Sequence, residues 1–135
     1  MSTNPADCPC KSGAAFSACC EPFLTGASLP ATPQQLMRSR YSAYATKNIA
    51  YLKETLWPAH QKKFDTEGVI LWANESQWLS LEIHSADGAE PDAVKGTVHF
   101  TAKYLASGQF GAQEELSLFK KKQGRWYYVK PLPLS

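Results

Sequence analysis

No cysteine follows position 20, so disulfides cannot cross-link the greater part of the chain, which excludes the disulfide-framed secreted scaffolds. No apolar run approaches the roughly 20 residues that cross a bilayer, and the first ten residues lack the charged-then-apolar layout of an export signal. A soluble, cytoplasmic protein without membrane attachment is expected. Neither sign of charge dominates: 14 Lys and Arg against 12 Asp and Glu leave a formal charge of +2, too little to argue for nucleic acid on charge alone. Phosphate-loop and nucleophile motifs are missing as well. What remains is a chain of 135 residues, 44% apolar, 19% charged and 12% aromatic. That composition excludes a disordered or fibrous chain and provides one self-sufficient core with room for a small appendage.

All four cysteines lie between positions 8 and 20: Cys8, Cys10, Cys19 and Cys20. Pairing them locally as disulfides is poor chemistry, because a bridge between adjacent cysteines strains the intervening peptide and a Cys8–Cys10 bridge closes a very tight ring. Two close pairs joined by a short loop converge more easily on one tetrahedral zinc ion. Reduced inert thiols or redox thiols are the other readings. Four protein ligands leave no position for water, so such a zinc is structural or adhesive rather than catalytic. Four thiolates and Zn²⁺ carry −2, and Lys11 is the nearest cation in sequence to offset it. Phe16 and Phe23 are expected to form a miniature core beside the metal. A knuckle of this size should unfold on chelation while the rest of the chain stays folded.

The segment Cys8-Pro9-Cys10-Lys11-Ser12-Gly13-Ala14-Ala15-Phe16-Ser17-Ala18-Cys19-Cys20 resembles the SEC-C motif, a zinc module also found at the end of the SecA preprotein translocase motor. Three positions depart from that motif. Lys11 stands where glycine is usual, and Ala14 and Ala15 replace residues that are typically basic.

Residues 21–31 read as a connector. Thr32-Pro33-Gln34-Gln35 is a helix start, with Thr32 as N-cap, Pro33 in the first turn and Gln35 as capping-box partner. Leu36, Met37, Tyr41, Tyr44 and Ala45 follow at helical spacing as one buried stripe. Asn48 can cap a second short helix carrying Tyr51, Leu52 and Leu56, which Trp57-Pro58 ends. A further helical piece lies within 59–74, using Phe64, Val69 and Trp72. The period then changes to two. Residues 78–84 place Leu79, Leu81 and Ile83 on one face and Trp78, Ser80, Glu82 and His84 on the other. Residues 94–105 form a strand with Val94, Val98, Phe100, Ala102 and Tyr104 inward. The chain turns at 107–111, and 114–122 and 125–130 make a hairpin around Gln123-Gly124. Helices followed by an antiparallel meander mean α+β, with the N-terminal helices covering the apolar face of the sheet.

Three stretches extend the resemblance: Leu36-Met37-Arg38-Ser39-Arg40-Tyr41-Ser42-Ala43-Tyr44, Tyr51-Leu52 before Trp57-Pro58, and Gly124-Arg125-Trp126-Tyr127-Tyr128-Val129. Together they are similar to the YchJ-like family, whose members join a SEC-C motif to a nuclear transport factor 2-like domain. The resemblance implies a zinc knuckle over 1–24, a connector over 25–31 and, over 32–135, a cone-shaped curled sheet covered by helices. Other members of that fold use the cone for small molecules or subunit contacts.

Within such a cone, His84 and His99 could meet Glu115 as a general acid–base set. Their plainer reading is half-exposed strand residues. Glu115 shares a strand face with Ser117 and Phe119, and Arg38 or Arg40 is expected to form a buried ion pair with it. Trp78 is a candidate cavity wall. Lys120, Lys121, Lys122 and Arg125, beside Trp126, Tyr127 and Tyr128, form the basic-aromatic cluster that single-stranded nucleic acid would need. The preferred reading is a zinc-binding, non-enzymatic interaction module with a partner protein, a small ligand in the cone, or a second copy as a homodimer. An enzyme built on His84, His99 and Glu115, or nucleic-acid binding by the hairpin, is the alternative.

Overall fold

The fold is organised by its longest helix, whose start is fixed by local chemistry. The computed structural model describes residues 7–134; the first six positions of the knuckle span and position 135 lie outside them. In helix α2, Pro33–Thr46, the Thr32 hydroxyl accepts from the Gln35 amide at 3.2 Å. The Gln35 side chain reaches back to the Ala31 amide at 2.7 Å, so two otherwise orphaned donors at the helix entrance are satisfied. Lys47 closes the helix in a left-handed conformation (φ 62°), as C-terminal caps often do. A short helix α1, Glu21–Leu24, precedes it. Helix α3, Ile49–Glu54, is capped by Asn48 as expected. A 3₁₀ segment, Pro58–Lys63, leads to α4, Thr66–Glu75, which Asp65 caps through the Gly68 amide.

Four strands follow: β1 Ser76–Ala86, β2 Lys95–Ala106, β3 Gln109–Lys122 and β4 Arg125–Leu132. They pair in sequence order as one antiparallel sheet. Both of the later turns use two residues at positive φ, Ser107-Gly108 (52° and 79°) and Gln123-Gly124 (53° and 80°), the twist that suits a tight hairpin. The first of these turns pairs Ala106 with Gln109, and therefore Phe100 with Glu115 and Thr101 with Glu114. The free edge of β4 is partly covered by the chain after α3. Tyr128 donates to the Thr55 carbonyl and accepts from the Trp57 amide, both at 2.8 Å, which shields an otherwise open edge.

The core lies between α2 and the concave face of the sheet. Leu36, Met37, Tyr41, Tyr51 and Leu52 from the helices pack in one cluster with Val98, Phe100, Ala102, Phe119 and Trp126 from the strands. Three expectations change here. A register shift between Trp78 and Ser80 inserts an extra residue in β1, which flips the side-chain alternation. Trp78 therefore joins Leu81 and Ile83 on the inner face, while Leu79 is left exposed. Val94 precedes its strand and is 65% exposed. On α2, Ala45 is exposed and Tyr44 only partly buried, whereas Ser39 and Ser42 are fully enclosed. The reason is that α2 is covered from two sides: Ser39 hydrogen-bonds Tyr51 at 2.6 Å, and Ser42 faces Cys8 at 3.5 Å.

Candidate functional site

The cysteines are assembled by a miniature hairpin in which Asp7 bridges Ala15 and the Cys8 amide donates to the Ala14 carbonyl at 2.9 Å. A 3₁₀ turn, Phe16–Ala18, then returns Cys19 and Cys20 to the first pair. All four sulfurs lie within 4.8 Å of one another. The Cys10–Cys19 and Cys19–Cys20 separations are 3.5 Å and 3.9 Å. Ligands at the usual zinc–sulfur distance in a tetrahedron are about 3.8 Å apart, so the donor set fits a metal ion of that type without rearrangement. None of the four forms a disulfide.

Without a metal ion, electrostatics favours a thiolate at Cys10 and thiols at Cys19 and Cys20. A hydrogen bond from Cys20 holds the Cys10 thiol down at about 4, while the same interaction together with burial pushes Cys20 up. Burial also raises Cys19. A divalent ion is the species that lets several such sulfurs ionise together. The compensating cation is not the one expected. Lys11 is exposed, whereas Arg38 reaches down from α2 to the Cys10 carbonyl at 3.0 Å and to its sulfur at 3.8 Å. Ser12 adds a contact to the Cys19 sulfur at 3.2 Å. Lys11 has φ 66°, the left-handed backbone that explains why glycine suits this position in the motif. The expected separate miniature core is not observed: Cys8, Cys10 and Cys20 belong to the main core cluster, and Phe16 and Phe23 pack against it.

On the other side of α2 a cavity of about 230 Å³ opens between helix and sheet. Tyr41, Tyr44, Trp72, Trp78, Phe100 and Phe119 form its aromatic wall, with Trp78 5.5 Å from Tyr41 and 6.0 Å from Trp72 between ring centres. Its polar end is Arg40, Gln113, Glu115, Ser117 and Tyr128. The Glu115 carboxylate accepts from Gln113 at 3.1 Å, from Ser117 at 2.5 Å and from the Tyr128 hydroxyl at 2.8 Å. Tyr128 is driven well above the usual phenol range by burial and by the neighbouring carboxylate.

The expected ion pair is replaced by a relay. Arg38 is committed to Cys10, and Arg40 donates to the Leu52 carbonyl at 2.9 Å and to the Thr55 hydroxyl at 2.6 Å. Its guanidinium stacks 4.7 Å from the centre of the Tyr128 ring, and Tyr128 carries the connection to Glu115. Loss of water lowers the Arg40 pKa, and the nearby tyrosines and Glu115 oppose that shift. Two donors of the aromatic wall, Tyr41 Oη and Trp78 Nε1, are buried without a protein partner among the described residues.

The proposed acid–base set of His84, His99 and Glu115 does not assemble. The histidine rings lie 4.7 Å apart, but they occupy the outer face of the sheet. Phe100, not His99, stands opposite Glu115, so Glu115 points to the inner face. His99 instead meets Glu114 at 2.7 Å. In the basic hairpin, Lys120 and Lys122 lie 5.9 Å and 5.8 Å from the centre of the Trp57 ring, and Lys121 lies 5.1 Å from that of Trp126. Trp126 is 1% exposed, so no base can stack on it. Arg125 is held by Glu54 at 3.5 Å.

Comparison with known proteins decides the family. Residues 32–131 match the family model described as YchJ, middle NTF2-like domain. The chain belongs to the YchJ-like family. A UPF0225 protein of Geobacter sulfurreducens is 41% identical over 131 residues, covering 93% of this chain and 81% of the relative. A second, from Actinobacillus succinogenes, is 40% identical over 122 residues, covering 90% and 79%. The solution structure of a SEC-C motif containing protein from Rhodopseudomonas palustris superposes with a TM-score of 0.86 at 36% identity, over 95% of this chain and 98% of that one. A crystal structure of a SEC-C motif containing protein from Psychrobacter arcticus gives 0.79 at 27% identity, over 95% and 83%. The YchJ-like chain thus has the cone-shaped domain, and its cysteine cluster suits a metal knuckle. No helix among the described residues is long and apolar enough to cross a membrane.

Sequence reasoning missed the cavity roles of Tyr44, Gln113 and Tyr128 in this YchJ-like chain, and the place of Arg38 beside the sulfurs. For Gln113 the available signal was strand period, which puts it on the face shared by Glu115, Ser117 and Phe119.

Proposed function

We propose that this chain is a non-enzymatic binding module in which zinc clasps the N-terminus onto α2 and the cone holds a small amphipathic molecule. Zinc is favoured by the all-thiolate, four-membered set, which matches a closed structural site with no position for substrate. The observation that carries the ligand reading is the Glu115 carboxylate, held by three donors and countered by Arg40 inside an aromatic-walled cavity. A few fixed polar groups in an apolar concavity are what orient a small ligand.

The chemistry on the two walls defines its class. The ligand has a flat apolar body for Trp72, Trp78 and Phe100, and a hydroxyl or amine donor directed at Glu115. An acceptor reaching the aromatic wall would satisfy Tyr41 or Trp78, each otherwise costing about 1–3 kcal/mol as an unpaired buried donor. The test is a screen of small cyclic alcohols and amines against the zinc-loaded chain. It is read by tryptophan fluorescence and by amide shifts at Gln113, Glu115 and Tyr128. Binders are expected to lose affinity in Glu115→Gln. If no compound shifts those signals at about 1 mM, the weakest useful affinity, the ligand reading is wrong.

A further inference from the structure

We propose that the outer face of the sheet carries a second metal site, formed by His84, His99 and Glu114, for a divalent transition ion such as Ni²⁺ or Zn²⁺. Their ligand atoms lie within 4.8 Å of one another, and all three sit on paired strands, not on loops. With Ile83 packed against the core, strand alternation puts His84 on the outer face. There it is the extra residue of the shift between Ile83 and Ser85 and still lies beside His99. The two rings lie 4.7 Å apart and tilted by 53°, too oblique for a parallel stack. His99 Nε2 stands 2.7 Å from Glu114 Oε2, and neighbouring ligands on one such ion are about 3 Å apart. Small side-chain rotations therefore bring all three donors to one centre.

The surroundings also match a metal site. Glu82 Oε2 lies 3.5 Å from His84 Nδ1, so an Nδ1–H directed at Glu82 leaves Nε2 with its lone pair outward. That nitrogen now meets the Thr101 hydroxyl at 2.8 Å, a contact easily exchanged for a metal. A carboxylate behind a ligating histidine is the usual orienting partner. Two imidazoles and a carboxylate suit Zn²⁺, Ni²⁺, Cu²⁺ or Fe²⁺ rather than Mg²⁺ or Ca²⁺. Glu114 and Glu82 together balance the charge of the ion. Three protein ligands leave open positions, filled by water or by a group from outside the chain. This site is unlike the cysteine cluster, which is closed.

The experiment uses the full zinc-loaded chain without a histidine tag, titrated with Ni²⁺ by calorimetry. NMR follows line broadening of the amides of Ser85 and Thr101. One equivalent should bind to the wild type and equally to His60→Ala, which removes the histidine bonded to the Val129 carbonyl at 3.1 Å. His99→Ala and Glu114→Gln should each weaken binding by about ten-fold or more, and Glu82→Gln by roughly ten-fold through the orientation of His84. These side chains are partly exposed, so the variants are expected to fold, as circular dichroism will check. Should the wild type bind no Ni²⁺ at about 1 mM, or should His99→Ala bind as tightly, the proposal fails. Broadening centred on the cysteine hairpin would equally overturn it.

Discussion

Replacing Arg40 by methionine separates the polar end of the cavity from the rest of the core. The variant keeps most of the side-chain volume but removes the donors to the Leu52 carbonyl and the Thr55 hydroxyl, together with the stack on Tyr128. It also leaves Glu115 without its nearby cation. Deleting one member of a buried charged set costs about 3–5 kcal/mol, a large part of the 5–15 kcal/mol that holds a typical domain. For a chain of this size each kcal/mol is about 3–5 °C in melting temperature, so Arg40→Met should melt roughly 10–20 °C lower. Glu115→Gln keeps the shape and loses only charge-assisted bonds, for about 1–2 kcal/mol. Because the two groups are joined through Tyr128, the double variant should be less destabilised than the sum, by about 0.5–3 kcal/mol. Urea unfolding followed by tryptophan fluorescence measures all four corners of the cycle. Additivity within about 0.3–0.5 kcal/mol, or an Arg40→Met variant as stable as wild type, would refute the relay.

Other consequences follow from the same geometry. Burial pushes Tyr41 and Tyr51 up to about 12, against about 10 in the unfolded chain. The stability they confer is therefore intact below pH 10 and is lost between pH 10 and 12, at roughly 2 kcal/mol or more each. Ultraviolet titration should show these tyrosines ionising only with unfolding, and ionisation of all six tyrosines near pH 10 in the folded state would contradict the packing. Lys11→Gly should stabilise the metal-loaded chain by about 1 kcal/mol by relieving the left-handed backbone, seen as a higher melting temperature; a fall would remove that explanation. Chelation should loosen strand β2 together with the knuckle, because Cys8, Cys10 and Cys20 share a cluster with Val98 and Trp126. Hydrogen exchange confined to residues 8–20 would show instead that the knuckle is independent.

What could be read from the sequence was local chemistry. Four cysteines in one short segment, Thr32 with Gln35, Asn48 before its helix and Gln123-Gly124 each encode their structure within a few residues. The shared face of Glu115, Ser117 and Phe119 followed from strand period alone. What escaped depended on a single residue of register. One extra residue at Leu79 turned Trp78 inward. The pairing of Glu115 with Phe100 then put that carboxylate on the opposite side of the sheet from both histidines. The link from Arg38 to Cys10 spans separate elements, and no local pattern announces it.

Metal content of the purified chain bears most directly on the clasp. Native mass spectrometry of protein from cells grown in unsupplemented medium should find one zinc ion held by the cysteine hairpin, with four free thiols appearing after acid release and no zinc retained there by Cys20→Ser. A chain that carries no metal at this hairpin, or one whose sulfurs are joined in disulfides, would contradict the account.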